Sequence, residues 1–223
     1  MQPARKLDVA LDRPFDAGAL TRDKVEVHTQ PFSYVIRRDL LPASWRAPVA
    51  ADFPKLKKAG FFPVNPEECG PSVSGVVDAL VDPTFADALG ECLGVERLGQ
   101  YPTIAHLRKW SKASDGSIHV DSKSKVVTAL LYLNETWPDT SAGCFRILNS
   151  PASFDDLAAP EVKPLYGTFL AFRRTDNSWH GHLPYEGERR VIQVAWLTSE
   201  EEKRRKEQRG WFTRKLKQVF ARH

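Results

Sequence analysis

Two residues of the sequence, His119 and Asp121, have the types and the spacing to bind a transition metal. On an extended strand, residues two apart project to the same side, so the imidazole and the carboxylate would face one way. They form two thirds of a 2-His-1-carboxylate facial triad, which binds non-haem Fe(II) and leaves the opposite positions open for substrates. A His-x-Asp pair also arises by chance, and an exposed pair at a strand end is the alternative.

A third metal ligand has to come from a later strand. The candidates are His180, His182 and the terminal His223, which stands where chain ends commonly fray. His180 and His182 would share one face of a strand, so their spacing leaves both open.

An arginine pair follows these histidines after a predicted turn. A guanidinium bonds a carboxylate bidentately, so an arginine on the returning strand could anchor the second carboxylate of a chelating keto acid. Adjacent strand residues face opposite ways, so Arg189 and Arg190 cannot both enter one pocket. The pattern alone leaves either arginine as the buried one.

The elements that would position these residues change in type near Gly94. Before it, the sequence predicts a strand at 31–36, a short helix within 40–53 and a helix from Asp82-Pro83 to Leu93, with Asp as N-cap. After it, β-branched and aromatic segments separated by turn residues predict strands at 104–110, 117–119, 125–134, 143–148, 167–172, 178–182 and 190–198. Many short strands after a helical front predict a mainly β fold with flanking helices, an antiparallel sandwich or jelly roll.

The span from Trp110 to Leu197 resembles the prolyl-4-hydroxylase-like branch of the Fe(II)/2-oxoglutarate-dependent dioxygenase superfamily. The matching pieces stand in the family's order and close to its spacing. They are His119-Val-Asp121, Tyr132-Leu-Asn-Glu-Thr-Trp137, Ser-Ala-Gly143-Cys-Phe-Arg146-Ile, Gly167-Thr-Phe-Leu-Ala-Phe172, and Trp179-His180 with Pro184, Arg190 and Trp196. The family usually has Gly-Gly where this chain has Ala142-Gly143.

The resemblance implies a double-stranded β-helix and assigns roles to particular residues. His119, Asp121 and His180 would be the iron ligands and the centre of catalysis, and Arg190 would anchor the C5 carboxylate of 2-oxoglutarate. The hydroxyl of Tyr132 would help to hold the same co-substrate.

Three further sets of residues near these positions carry weaker expectations. Trp110 falls on or beside the position of a second tyrosine that the family usually has, and Thr128 is either a co-substrate contact or an ordinary strand residue. Phe145, Phe169 and Phe172 are expected as apolar walls, and Phe61-Phe62 as core packing or as substrate lining. Basic side chains are expected on a solvated rim, with an acidic substrate as the alternative; they are Arg108, Lys123 and Lys125.

The implied reaction is hydroxylation of an unactivated C–H bond. It would use Fe(II), with 2-oxoglutarate and O2 as co-substrates and ascorbate as a reductant. A prolyl residue of a protein is one expected substrate, and a saccharide, a lipid-linked glycan or a small metabolite is the alternative. A catalytically silent jelly-roll binding module is the less favoured interpretation, because such a module needs neither the triad nor the arginine.

Length and composition predict one domain. The chain has 223 residues, of which 42% are hydrophobic and 27% charged, as in ordinary globular proteins. Within that domain, 1–99 is predicted as a helical and strand support, 100–199 as the catalytic core and 200–223 as a basic amphipathic helix. No segment approaches the ~20 apolar residues of a membrane span, and the start lacks the apolar core of a signal peptide. A cytoplasmic protein with three reduced cysteines is therefore expected.

The positive net charge comes from the C-terminal tail. From Lys203 onward there are nine Lys or Arg and one acid, a balance of +8, so the rest of the +4 chain is at −4. Nucleic-acid binding by the fold is therefore not expected. Apolar residues of the tail would cover half of a helix: Trp211, Phe212, Leu216, Val219 and Phe220. A basic helix of this kind suits peripheral membrane contact, and packing on the protein itself is the alternative.

Overall fold

The computed structural model describes residues 12–208. Its elements in chain order are a 3-10 helix (Ala17–Leu20), β1 (Glu26–His28), β2 (Tyr34–Arg37), a 3-10 helix (Ala43–Trp45), α1 (Arg46–Asp52), β3 (Phe62–Pro63), α2 (Pro71–Val81), α3 (Pro83–Leu93), a 3-10 helix (Leu98–Gln100), β4 (Thr103–Ser111), β5 (Lys125–Tyr132), β6 (Arg146–Ile147), β7 (Phe169–Arg173), β8 (His180–Gly181) and β9 (Gly187–Leu197). Residues 200–208 are also helical.

The helix predicted from Asp82 to Leu93 is confirmed as α3. Asp82 accepts hydrogen bonds from the backbone N–H groups of Thr84 and Phe85, Pro83 occupies the first turn, and the chain leaves the helix through Gly94 in the left-handed conformation.

Helix α2 was not predicted, although its sequence contains the signals of a helix. Pro71 begins it, and its apolar residues recur at helical spacing, at Val73, Val76, Val77 and Leu80.

Seven strands form the main sheet, in the order β1-β2-β7-β5-β9-β4-β3, and every pair is antiparallel. A second, smaller sheet pairs β6 with β8, and isolated bridges extend it. The predicted jelly roll, with helices packed on one sheet, is confirmed. Strands β1 to β3 belong to the same sheet as β4, so the N-terminal third of the chain helps to build it.

The main sheet has two buried faces, which we call the helix face and the inner face. The helix face packs on α2 and α3 in one apolar cluster, and its sheet residues include Leu107, Val127, Ala129, Leu131, Phe169, Ala171, Ile192, Val194 and Trp196. The inner face is turned to the smaller sheet, and its apolar residues include Tyr34, Leu130, Tyr132, Leu170, Phe172 and Val191, with Phe145 and Ile147 opposite. The iron-site candidates belong to the inner side.

Some predictions concern parts of the chain outside the described residues. The apolar face predicted for the tail, residues 211–220, is among them, so membrane contact stays a prediction. The cytoplasmic location and the domain boundaries at 99 and 199 also stay predictions, for want of an observation that tests them. Within residues 12–208, no helix is both long and apolar enough to cross a membrane.

Candidate active site

The two histidines of the proposed triad are brought together by direct strand pairing. The N–H of His119 donates to the carbonyl of His180 at 3.0 Å, and the N–H of His180 donates back at 3.0 Å. Residues directly opposite in an antiparallel pair project to the same side, so the rings converge, with centroids 4.4 Å apart. Asp121, two residues after His119, completes the group.

Backbone carbonyls set the tautomer of both rings. Nδ1 of His119 lies 2.8 Å from the carbonyl oxygen of Ser117, and Nδ1 of His180 lies 2.9 Å from that of Ser178. A carbonyl oxygen can only accept, so each bond requires the proton on Nδ1. Each Nε2 then keeps a free lone pair, which is the form that binds a metal.

The carboxylate of Asp121 is held by two side chains from the start of β5. Thr128 donates its hydroxyl to Oδ2 at 2.6 Å, and Nζ of Lys125 donates to Oδ1 at 2.8 Å. Burial alone would raise the pKa of Asp121, but Lys125, His180 and Thr128 outweigh it and lower the pKa to about 2. Each oxygen accepts one bond and keeps lone-pair capacity for a metal.

Burial keeps the third ligand neutral. It lowers the pKa of His180 to about 4, with Asp121 opposing the shift and His119 adding to it. The ring lies between Phe145, stacked at 5.3 Å between centroids, and Phe172, tilted at 4.5 Å. The ring is therefore neutral and ready to bind a metal at physiological pH.

The donor set fits Fe(II). One donor atom from each of His119, Asp121 and His180 lies within 4.8 Å of the other two. Two neutral imidazole nitrogens and one ionised carboxylate, aimed from one side, are the facial triad of non-haem Fe(II) oxygenases. His182 is not part of this group, so the geometry agrees with the choice of His180 as the third ligand.

A cavity of about 120 Å³ lies against the triad. His182 is one of the lining residues and lies two residues beyond His180, roughly 6.6 Å along the strand. Nδ1 of His182 donates to the carbonyl of Leu183 at 2.8 Å. The lining of the cavity also includes Phe61, Arg108, Gly116, Thr128, Leu130, Phe145, Phe172, Arg189 and Gln193. Burial, with the positive charge of Arg189 next in size, lowers the pKa of His182 to about 4.

Arg189, not Arg190, enters the cavity, so the prediction of Arg190 is wrong by one residue. Arg189 is 3% exposed, donates from Nε to the carbonyl of Gly143 at 2.9 Å, and donates from Nη2 to the hydroxyl of Tyr132 at 3.2 Å. Arg190 instead pairs with the Glu188 side chain and lies 5.8 Å from the ring centroid of Phe53.

The physical reason is strand alternation. Arg190 does share its side of β9 with Ile192, Val194 and Trp196, but that side is the helix face. Arg189 shares the inner face with Val191 and Gln193.

Tyr132 and Thr128 lie on the inner face, which is the side of the main sheet that carries the cavity. The Tyr132 hydroxyl meets Arg189 and is fully buried, and burial raises its pKa. Thr128 lines the cavity, and its hydroxyl is bonded to Asp121, so it orients a metal ligand.

The placement of Trp110 in the co-substrate site is wrong. Its indole N–H donates to the carbonyl of Leu56 at 2.8 Å, and it does not line the cavity. A register shift between Arg108 and Trp110 pairs Trp110 with Glu188 and Arg108 with Val191. This bulge turns Trp110 away from the inner face and leaves Arg108 in the cavity.

Other residues of the cavity differ from their expected places. Phe145 and Phe172 are walls as predicted, whereas Phe169 packs edge-on against Phe85 on the helix face. Phe61 lines the cavity, which decides its role in favour of lining. Two basic residues expected on a solvated rim are largely buried, because Lys125 bonds Asp121 and Arg108 enters the cavity. The sequence did not lead to Gln193 as a cavity residue. The signal for it was its position two residues after Val191, which puts both on the same face of β9.

Ala142, which stands where the family usually has glycine, has a backbone conformation that alanine can adopt. Gly143 has a φ of 73°, and a Cβ there would lie 2.7 Å from the Trp137 ring, so this position requires glycine. Ala142 has no such backbone requirement, and the carbonyl of Gly143 is the one that Arg189 bonds.

The fold and the site together define a jelly-roll protein with a facial-triad metal centre. Residues 105–198 match the model of the 2OG-Fe(II) oxygenase superfamily, and this segment contains the whole triad and Arg189. The matched segment is similar to that superfamily, and together with the triad it supports a dioxygenase activity with Fe(II) as the metal and 2-oxoglutarate as the co-substrate. The comparison with curated proteins found no match.

Solved structures of low sequence identity share the fold. A prolyl-4-hydroxylase from Pseudomonas putida is 20% identical with a TM-score of 0.58, covering 83% of this chain and 94% of its own. A prolyl hydroxylase from Trichoplax adhaerens, in complex with a peptide fragment of hypoxia inducible factor, is 15% identical with a TM-score of 0.53, covering 81% and 86%. HygX from Streptomyces hygroscopicus, with nickel and 2-oxoglutarate bound, is 12% identical with a TM-score of 0.52, covering 75% and 83%.

Proposed function

We propose that this dioxygenase hydroxylates an unactivated C–H bond, with a prolyl residue of a protein or peptide as the substrate class. One observation supports the chemistry above all: His119, Asp121 and His180 converge at a cavity that also holds the buried guanidinium of Arg189. The prolyl assignment has a narrower basis, which is the likeness in fold to the prolyl hydroxylases of Pseudomonas putida and Trichoplax adhaerens.

The residues of the cavity divide the work of binding between two positions. The triad holds the metal, and Lys125 and Thr128 fix the Asp121 carboxylate that binds it. When bound, Fe(II) supplies the activation of O2 that is coupled to oxidative decarboxylation of 2-oxoglutarate to succinate and CO2.

Arg189 and Tyr132 bind the other end of the co-substrate. Three of the five N–H groups of Arg189 remain after its bonds to Gly143 and Tyr132, enough for a bidentate pair with a carboxylate. The triad and Arg189 line the same cavity, so a dicarboxylic keto acid can lie in it with one end at the metal and the other at Arg189.

Apolar side chains keep water from the reacting centre. Phe145 and Phe172 enclose His180, and Leu130 adds to the same lining. The cavity is smaller than the ~300–1,000 Å³ of typical ligand pockets. A polymeric substrate therefore presents one small group, such as a prolyl ring, while the rest of it lies outside.

The test of the chemistry is turnover of 2-oxoglutarate without a primary substrate. Purified protein with Fe(II), O2, ascorbate and 2-oxoglutarate is expected to release succinate slowly, and the His119→Ala variant is expected to release none. Equal succinate from both proteins would overturn the oxygenase assignment of this site. Omitting ascorbate from one arm tests the predicted need for that reductant.

The test of the substrate class is a paired screen. Proline-containing peptides are expected to stimulate succinate release and to gain one oxygen atom by mass, whereas the same peptides with alanine in place of proline are not. Stimulation by saccharides or small metabolites alone would reject the prolyl assignment and leave the oxygenase chemistry standing.

A further inference from the structure

A second arginine, Arg108, occupies the same end of the cavity as Arg189. Arg108 on β4 pairs with Val191 on β9, and Val191 pairs with Tyr132 on β5, so these three residues form one row across the inner face. Arg189 stands two residues from Val191 on that same face. Two groups suited to a carboxylate, the guanidiniums of Arg108 and Arg189, therefore lie at this end of the cavity, and Arg189 is bonded to the Tyr132 hydroxyl.

Arg108 is buried without a full set of partners. It is 8% exposed, and its Nε has no hydrogen-bond partner among the described residues. Nη1 donates to the hydroxyl of Ser111 at 3.3 Å, and Nη2 lies 3.7 Å from the carboxylate of Asp115, beyond the range of a good hydrogen bond. Leaving a buried charged donor unsatisfied is unfavourable. The Arg108 side chain lines the cavity, so a ligand there can supply a further partner for the guanidinium.

The side chain is also held in place before any ligand arrives. The guanidinium carbon lies 4.2 Å from the ring centroid of Phe61, a cation–π contact that fixes the plane of the fork. The Ser111 hydroxyl accepts a hydrogen bond from one terminal nitrogen, and the Asp115 carboxylate lies 3.7 Å from the other. A preorganised fork loses little side-chain freedom when it binds an anion.

The charged side chains at this end of the cavity have a net charge of +1. Arg108 and Arg189 carry two positive charges, and Asp115 supplies one negative charge. Burial, and next the positive charge of Arg189, lower the pKa of Arg108 to about 10, so the guanidinium stays charged at neutral pH. One carboxylate brings the local charge to zero, and a second anion would overshoot it.

We propose that Arg108 is a second anchor for the distal carboxylate of 2-oxoglutarate, which is then held between the guanidiniums of Arg108 and Arg189. This inference rests on the proposed function and deepens it. Arg108 stands on the inner face, eleven residues before the metal-ligand candidate His119. A site with two guanidiniums for the distal carboxylate strictly prefers 2-oxo acids that carry one.

The test compares two 2-oxo acids that differ in the distal carboxylate alone. The full-length protein is loaded with Fe(II) without oxygen, and the Kd values of 2-oxoglutarate and 2-oxobutyrate are measured by calorimetry. The Arg108→Gln variant is expected to bind 2-oxoglutarate about ten- to a hundredfold more weakly, as loss of a charged hydrogen bond predicts. Its Kd for 2-oxobutyrate is expected to stay within about threefold of the wild-type value, because that acid has no carboxylate for Arg108 to bind.

Two further variants keep the test decisive. Arg108→Lys retains the charge without the fork and is expected to fall between the wild type and Arg108→Gln. Lys109→Gln removes one positive charge from the adjacent residue, which does not line the cavity, and is expected to bind like the wild type.

Each possible result has a distinct meaning. An unchanged 2-oxoglutarate Kd in Arg108→Gln overturns the second anchor and assigns Arg108 to another anion or to packing. Equal loss for both acids overturns it too, because the residue would then be shaping the cavity. Failure of the wild type itself to bind 2-oxoglutarate overturns the proposed function instead.

Discussion

The two faces of the main sheet are both buried, but they bury different chemistry. The helix face is an apolar cluster of Val, Leu, Ala, Phe, Ile and Trp side chains against α2 and α3. The inner face combines apolar residues with polar ones that line the cavity: Arg108, Thr128 and Arg189 are buried, and Gln193 is half-buried. Burying polar groups is unfavourable unless they are bonded, so the inner face reserves them for a ligand and for the triad.

Strand β9 shows this difference most directly, because alternate residues of one strand serve the two faces. Ile192, Val194 and Trp196 stabilise the fold on one side, while Arg189 and Gln193 line the cavity on the other. The more apolar side of a strand is therefore not the side of the active site. The family resemblance assigned Arg190 to the site, but Arg190 lies on the side of β9 whose apolar residues face the helices.

The largest effect is expected from the metal ligands. His119→Ala or Asp121→Ala removes one of three donors, so iron binding and succinate release are expected to be lost while the fold remains. Iron content and succinate are measured on the same samples. His182→Ala is the matched control, since His182 lines the cavity outside the donor group, and it is expected to keep its iron. Turnover at the wild-type rate by either ligand variant would refute the triad.

The second-largest effect is expected from the adjacent arginines, whose substitutions should change the KM for 2-oxoglutarate by very different amounts. Arg189→Gln removes the buried bidentate partner of the co-substrate, a loss of ~2–5 kcal/mol that corresponds to about thirtyfold or more in the KM for 2-oxoglutarate. Arg190→Gln removes a partly exposed charge on the other face and is expected to change that KM less than twofold. Thermal unfolding of both variants controls for misfolding. A larger effect from Arg190→Gln would reverse the assignment of the two faces.

A helix-face substitution is expected to affect stability and not binding. Leu131 is fully buried in the cluster against α2 and α3, so Leu131→Ala is expected to lower the free energy of unfolding by ~2–5 kcal/mol. The KM for 2-oxoglutarate, measured where the variant is folded, is expected to match the wild type. Denaturant titration and succinate kinetics together check this, and a raised KM with unchanged stability would contradict it.

The smallest effect is expected from the residue that orients Asp121. Thr128→Val keeps the shape of the side chain and removes the hydroxyl that bonds Oδ2 at 2.6 Å. Iron affinity is expected to fall about tenfold, as for other groups that position metal ligands, and Thr128→Ser is expected to restore it. Equal iron affinity in Thr128→Val and the wild type would reduce Thr128 to a packing residue.

Much of the fold and of the metal centre could be predicted from the sequence, because local patterns determine them. The capping residues Asp82 and Gly94 bound a helix whose signals are complete within its own segment. His119 and Asp121 are two residues apart, and the choice of His180 over His182 came from the resemblance.

The parts that could not be predicted depend on contacts between distant segments. Which side of β9 faces the helices is decided by the packing of α2, which lies more than a hundred residues away in the chain. The bulge that exchanges Trp110 for Arg108 is a property of the pairing of β4 with β9, and neither strand shows it alone. Lys125 and Arg108 resemble surface residues by type, and only the positions of Asp121 and the cavity show that they are buried.

The most direct test of the central claim is a crystal structure of the protein with Mn(II) in place of Fe(II) and with 2-oxoglutarate. The metal is expected on Nε2 of His119, Nε2 of His180 and the Asp121 carboxylate, and the distal carboxylate of the co-substrate is expected on Arg189 at the inner face. A metal bound through His182, or a co-substrate whose carboxylate meets Arg190, would contradict it.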